Sequence, residues 1–473
     1  MILTDIARSF VDQAAAKRQQ LATDIHRPRY HFLPPSNWMN DPNGFIQWEG
    51  QYHLFYQYNP FGATWGNMHW GHAVSTDLIH WTDLPIAIAP TPGSYDEAGI
   101  FSGCMVNHNG VPTIFYTATA DNCTVQTQAI ATSGDGLITW TKHADNPVIS
   151  AVPALAGQTR DFRDPFVWKD GNWWYMVLGS RIQDVGGVIF LYRSADLHHW
   201  EYLHPLLTGD IHQDGVIWEC PNFFQLGDEW VLIISTHDGK ATATTIYFVG
   251  SYENQRFTPV YRGVLDDAVL YAPLSTVDEQ QRRVLFGWLR EDRSGDEMNR
   301  AGWSGVQSIP RVLTLDTQHR VHMVPVPELK AIRGHHQQLT AAGSINVSSA
   351  AVDIEAQITG DGTSSLSFVY SSTTQEQINI RYDAAAQQLV TTQTVRGSDG
   401  APVTKVKHTP HSAATTLNLR ILVDGSVVEI IADEVTSSTQ RVYPSAAGDC
   451  SVRLSGSGTA DVWEMPSIWQ LSQ

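Results

Sequence analysis

A short polar cluster ending in an aromatic residue recurs four times at nearly constant spacing, and a repeat of that length leaves few folds open to the chain. It reads Ser75-Thr76-Asp77-Leu78-Ile79-His80-Trp81, then Ser133-Gly134-Asp135-Gly136-Leu137-Ile138-Thr139-Trp140, then Ser194-Ala195-Asp196-Leu197-His198-His199-Trp200. A degraded copy follows at Ser251-Tyr252-Glu253-Asn254-Gln255-Arg256-Phe257, so that successive serines lie 58, 61 and 57 residues apart. A period of about 60 residues with four short strands per unit is the pattern of a β-propeller blade. The repeats begin near Arg27, and a fifth unit containing Arg282 to Trp288 and Trp303 to Val306 is expected to close around Leu313 to Met323. Asp41 precedes Ser75 by 34 residues, Asp164 precedes Ser194 by 30 and Glu219 precedes Ser251 by 32. The three acids are therefore expected on equivalent inner strands of different blades, which converge on one central channel.

At 473 residues the chain exceeds what one hydrophobic core usually serves. After Pro325 and Pro327 the composition shifts: Trp nearly vanishes, and segments such as Val352 to Ile358 and Leu417 to Val423 alternate in the manner of half-buried strands, as in a β-sandwich. The expected architecture is all-β, with a five-bladed β-propeller over 27–330 and a β-sandwich over 340–473. A short N-terminal helical extension over 1–26 precedes them, where Ile2, Ile6, Phe10 and Val11 share one helical face.

A formal net charge of −18 disfavours nucleic acid and anionic membrane as partners. The four cysteines (Cys104, Cys123, Cys220, Cys450) show neither metal-ligand nor disulfide-framework spacing and read as free thiols. Charged residues interrupt the first 23 positions, so no secretion signal is expected, nor is any transmembrane run present. The expected location is cytoplasmic, which makes the sequons at Asn122 and Asn346 chance matches. A homo-oligomer is compatible with all of this.

Asp41 lies within Trp38-Met39-Asn40-Asp41-Pro42-Asn43-Gly44, where flanking amides are expected to hold its carboxylate rigid and its pKa low, as suits a nucleophile. Asp164 follows Arg163, a candidate donor to substrate or to an acid. Glu219 sits in the apolar run Gly215-Val216-Ile217-Trp218, where a raised pKa is expected, as suits a general acid. One nucleophilic carboxylate, one proton donor and further stabilising charge are what glycosidic hydrolysis requires. The residues alone thus give Asp41 as nucleophile, Glu219 as acid/base and Asp164 as the acid that holds sugar hydroxyls. The pairs His198-His199 and His335-His336 lack the spacing of a catalytic metal site, and no cofactor is expected.

Trp38 to Gly44, Phe101-Ser102-Gly103, Phe162-Arg163-Asp164-Pro165 and Trp218-Glu219-Cys220-Pro221 together resemble the signature segments of glycoside hydrolase family 32, the β-fructofuranosidases. The resemblance spans residues of about 27 to 470, since Val423 to Ile430 is similar to that family's C-terminal module. It implies retaining hydrolysis of terminal β-fructosides, with the same roles for Asp41, Glu219 and Asp164. It also implies a fructose pocket lined by Asn40, Gln57, Trp65, Phe101, Ser102, Arg163, Cys220 and Trp303. One departure is Ala268 and Leu274, where the family often has Gly and Gln, so contacts beyond the fructose are expected to differ there.

Propeller glycosidases acting on arabinans or xylans also use three channel carboxylates, but the segment from Trp38 to Gly44 resembles the fructosidase pattern. A catalytically dead sugar-binding propeller would be missing an acid, and none is missing. The expected substrate is a small sugar with sucrose preferred, leaving sucrose 6-phosphate hydrolase, fructan exohydrolase and fructosyltransferase as alternatives. Phosphate recognition needs free cations. Arg290 and Arg293, within Arg290-Glu291-Asp292-Arg293, are expected to be offset by their acidic neighbours.

Overall fold

The computed structural model describes residues 5–154, 158–239, 243–267, 269–397, 399–412 and 415–469. The chain forms two compact units, one of residues 1–19 and 33–322, the other of residues 20–32 and 323–473. The segment 1–26, read from the sequence as one extension, is thus shared between them.

The first unit is a five-bladed propeller whose sheets are antiparallel apart from the short strand Trp303–Ser304, which adds in parallel beside Asn37 and Trp38. Its innermost strands are Asn37–Trp48, Gly99–His108, Gln158–Asp170, Ile217–Leu226 and Leu270–Val277. The repeated Ser-x-Asp cluster is the turn between the third and fourth strands of a blade. In the first copy Asp77 accepts the N–H groups of Ile79 (2.9 Å) and His80 (2.8 Å), while Trp81 Nε1 donates to the Leu78 carbonyl at 3.0 Å. Leu78, Leu137 and Leu197 hold the same left-handed φ of 68°, 69° and 70°. The turn therefore recurs because one local hydrogen-bond solution recurs.

Ahead of the blades runs the helix Asp5–Gln20, with Ala14 and Arg18 buried and Phe10 and Val11 half-buried. Ile2 and the side chain of Ile6 lie outside the described residues. Arg18 donates to Asp83 through Nε (2.9 Å) and Nη2 (2.8 Å), so its buried charge is paired. No described helix is long and apolar enough to cross a membrane.

The second unit is a β-sandwich of two six-stranded sheets. Alternate residues of the facing strands, such as Ile354, Phe368, Ile380, Ile421 and Val452, fill its core. The segment before the propeller contributes His31, which is fully buried between Asp424 (Nδ1–Oδ2, 2.8 Å) and Glu429 (Nε2–Oε1, 2.9 Å). Burial alone would lower the imidazole pKa, but these two carboxylates more than reverse that and raise it to about 9.

Candidate active site

Every inner strand slips register against its neighbour at one level of the channel. The slips fall between Met39 and Pro42, Ile100 and Gly103, Arg163 and Phe166, Glu219 and Asn222, and Tyr271 and Leu274. Such bulges turn side chains out of the regular alternation. Proline, which has no ladder donor, is tolerated there, and Pro42, Pro165, Pro221 and Pro273 follow in four of the five strands. Asp164 (φ 65°), Cys220 (φ 47°) and Ala272 (φ 48°) adopt left-handed backbone at these bulges, a conformation that non-glycine residues rarely hold outside functional or tightly constrained positions. This frame refines the expected equivalence. Asp41 and Asp164 each directly precede their proline, whereas Glu219 stands one place earlier, level with Asn40, Arg163 and Tyr271.

The bulges bring the three acids together in a pocket of about 450 Å³. Of the residues expected there, Asn40, Gln57, Trp65, Phe101, Ser102, Arg163 and Cys220 line it with Asp41, Asp164 and Glu219. Asp41 accepts from Ser102 Oγ on one oxygen and from Asn40 Nδ2 (3.1 Å) on the other. Asn40 is itself fixed by Trp38 Nε1 at 2.7 Å. Cys220 Sγ lies 3.5 Å from both Asp41 Oδ2 and Asp164 Oδ2, and its backbone N–H donates to Asp164 at 2.9 Å. Arg163 reaches across blades to Glu219 through Nη2 (2.7 Å) and Nε (3.3 Å) and holds Asp161 through Nη1 (2.9 Å). Trp65, 54% exposed, meets Phe101 edge-on at 6.0 Å and forms an aromatic rim.

Trp303 does not join them. It is fully buried, paired through its strand with Asn37, and covered by Arg293 at 4.4 Å from its ring. Beside Trp65, the second indole lining the pocket belongs to Trp288, whose Nε1 has no partner among the described residues. Nor does Leu274 bear on the leaving-group side: it is buried and lines a separate cavity farther along the channel. Ala268 lies outside the described residues. Arg293 is paired with Glu291 at 2.8 Å, as expected, but Arg290 is not offset by its acidic neighbours. Arg290 stacks 5.4 Å from the Tyr271 ring and forms no ion pair among the described residues.

Tyr271, Asn122, Cys123, Gln126 and Asp161 complete the lining, and of these Tyr271 matters most because its hydroxyl donates to Glu219 Oε2. A signal for it was present: Tyr271-Ala272-Pro273 repeats the frame of Glu219-Cys220-Pro221.

The acids' protonation order is the reverse of the expected one. Burial raises Asp41, which faces no cation of its own, despite hydrogen bonds from Ser102 and Asn40. Burial also raises Asp164, to about 7, against the pull of Arg163. Burial pushes Glu219 the same way, but Arg163 and the Tyr271 hydroxyl outweigh it and leave that carboxyl below its ordinary value. The neighbouring Trp218 indole, the basis for expecting a raised Glu219, matters less than the guanidinium two blades' strands bring into contact.

Family models describe both units. The glycosyl hydrolases family 32 N-terminal domain matches residues 31–325 and the family 32 C-terminal domain matches residues 328–470. A sucrose-6-phosphate hydrolase of Escherichia coli is 31% identical, with 97% of this chain and 98% of the relative covered. Another of that name from Zymomonas mobilis is 37% identical, the match covering 68% of this chain but only 66% of the relative's length. Among solved structures, a Bombyx mori β-fructofuranosidase superposes with a TM-score of 0.82 at 28% identity, covering 97% of this chain and 98% of that one.

Proposed function

The chain belongs to glycosyl hydrolase family 32, and from that premise and the acid pocket we propose that it is a retaining β-fructofuranosidase that releases terminal β-fructose from small sugars, with sucrose preferred. The observation that carries this reading is the convergence of three carboxylates from three blades on one pocket with a single guanidinium among them. Asp41, its two oxygens oriented by Ser102 and Asn40, attacks the anomeric carbon and forms a fructosyl ester. Glu219 gives a proton to the departing sugar oxygen and then takes one from the water that hydrolyses the ester. Asp164 accepts hydrogen bonds from the fructose hydroxyls, and Trp288 Nε1 is a donor ready for another. A second sugar can replace that water, so some transfer product is expected at high sucrose.

The roles require a proton on Glu219, whereas Arg163 and Tyr271 hold that carboxyl below its ordinary value and burial raises Asp41 and Asp164. Bound fructose resolves this. Its hydroxyls donate to Asp164 and favour the ionised form there, while a glycosidic oxygen beside Glu219 is an acceptor and favours the protonated form.

A second reading, hydrolysis of sucrose 6-phosphate, is favoured by Arg290, a cation without an ion pair beside the Tyr271 that touches Glu219. Relatives bearing that name support it as well. Initial rates on sucrose, sucrose 6-phosphate, 1-kestose, inulin and levan test the proposal. A kcat/KM for the phosphorylated sugar more than about tenfold above that for sucrose, or about 1.4 kcal/mol, replaces the first reading with the second. Arg290→Gln would then lose the phosphorylated substrate selectively. A cytoplasmic location belongs to the same reading, supported by four free cysteines, and cell fractionation checks it.

A further inference from the structure

Beyond the acids the same five inner strands continue into a second cavity of about 340 Å³. The strand that carries Asp41 supplies Phe45, the one with Asp164 supplies Phe166 and Trp168, the one with Glu219 supplies Phe223, and the one with Tyr271 supplies Leu274. The lining of this cavity begins two residues past the acid pocket, at Cys104 after Ser102 and at Phe166 after Asp164, runs on to Asp170, and shares no residue with the lining of that pocket. It is therefore a separate compartment with its own composition, aromatic where the acid pocket is ionic.

Two cations stand among these walls: Lys169, exposed and lying 5.3 Å from the Trp174 ring, and Arg283, the more enclosed of the two. Arg283 lines the cavity with its guanidinium 4.2 Å from the Phe224 ring centroid. It makes no ion pair or side-chain hydrogen bond among the described residues, and its Nε is buried without a partner. Trp168, which lines the same cavity, buries a second unpartnered donor, Nε1. Burial lowers the guanidinium to about 10, which still leaves it charged at neutral pH. Buried donors are nearly always satisfied, and a charged one left bare is costlier than a neutral one. In a chain of net charge −18, carboxylates to pair with Arg283 were plentiful, yet the only one lining this cavity is the exposed Asp170, outside ion-pair distance. The Arg283 guanidinium and Trp168 Nε1 without a committed acceptor, with the Lys169 ammonium on the same wall and aromatic side chains around them, describe a receptor for an anion with an apolar body.

We propose that this cavity is a second ligand site, distinct from the fructoside pocket, for a small organic anion bearing one carboxylate or phosphate head group on an aromatic or branched aliphatic body. The head group accepts from Arg283 and Trp168 Nε1, and the body packs between Phe45, Phe223 and Leu274. The test is titration of the intact protein with benzoate, phenyl phosphate, inorganic phosphate and benzyl alcohol, read by calorimetry and by saturation-transfer NMR.

Benzoate or phenyl phosphate should bind in the millimolar range or tighter, and whichever binds better identifies the head group. Inorganic phosphate and benzyl alcohol, each lacking half of the required chemistry, should bind at least tenfold more weakly. Arg283→Met should weaken the aryl anion at least tenfold, and Leu274→Trp, which fills the cavity while keeping both cations, should do the same. Fructose should not displace the probe. The proposal is overturned if neither aryl anion binds the wild type at millimolar concentration, or if benzyl alcohol binds as well as benzoate. It is equally overturned if fructose competes, or if both folded variants keep wild-type affinity.

Discussion

Replacing Tyr271 by Phe isolates one contribution to the protonation of the proposed acid/base. The ring stays, and with it the edge contact to Trp288 (6.4 Å) and the stacking of Arg290 (5.4 Å). Only the hydroxyl that donates to Glu219 Oε2 is lost, while Arg163 continues to donate to Oε1 at 2.7 Å. A hydrogen bond to a charged group contributes about 1.5–3 kcal/mol. At 1.36 kcal/mol per pKa unit, its removal raises the carboxyl by about 1–2 units. The sign follows from which form is stabilised: a donor favours the carboxylate, so its loss favours the acid. If Glu219 must be protonated to expel the leaving sugar, the falling alkaline limb of the kcat profile on sucrose, which belongs to the enzyme–substrate complex, reports it, and that limb should move upward by about 1–2 units in Tyr271→Phe. Initial rates across the accessible pH range measure it. An alkaline limb that stays in place or moves to lower pH would refute either the role of Glu219 or the claim that Tyr271 holds it ionised.

Asp41→Asn should remove turnover on sucrose by on the order of 4 kcal/mol in barrier height or more, with circular dichroism unchanged, since no ester can form; a variant keeping a tenth of wild-type activity would sink the nucleophile assignment. Glu219→Gln should act similarly on sucrose but spare substrates whose leaving groups need no proton, which an aryl fructoside with an acidic phenol tests. His31, raised to about 9 in the folded sandwich against an ordinary 6.5, stabilises that unit fully below pH 6.5 and loses this contribution as pH rises through 9. The loss is about 3 kcal/mol, and thermal melts between pH 7 and 10 should show it as a falling Tm that a flat profile would contradict.

The propeller was legible because its repeat is written in local turn chemistry: Asp77, Asp135 and Asp196 each cap the same kind of turn within a few residues of themselves. The acids were legible because the repeat gave each a phase. What escaped were residues whose position depends on neighbouring blades. Trp288 and Trp303 were both expected in the fifth unit, but the strand Trp303–Ser304 pairs in parallel with Asn37 and joins the first blade's sheet, where Trp303 is walled in. Leu274 was misplaced for a similar reason: it follows a bulge at Tyr271, and after a bulge the strand carries its side chains onward along the channel, not toward the acids.

The reversed protonation order has the same origin and says more about how such a pocket works. Sequence places Trp218 beside Glu219 and Arg163 beside Asp164, so near neighbours suggest a raised glutamate and a lowered aspartate. In the folded propeller Arg163 occupies the same bulge level as Glu219 and reaches it at 2.7 Å, while its nearest approach to Asp164 is 4.0 Å. One guanidinium among three carboxylates cannot hold all of them ionised without water, and it stabilises the one it touches. Asp41 takes its donors from Ser102 and Asn40 and Asp164 from the Cys220 backbone N–H, all of them neutral, with the weakly donating Cys220 thiol between the two carboxyls. On the proposed roles, an ionised Asp41 and a protonated Glu219 coexist when sugar hydroxyls donate to Asp164 and a glycosidic oxygen accepts from Glu219.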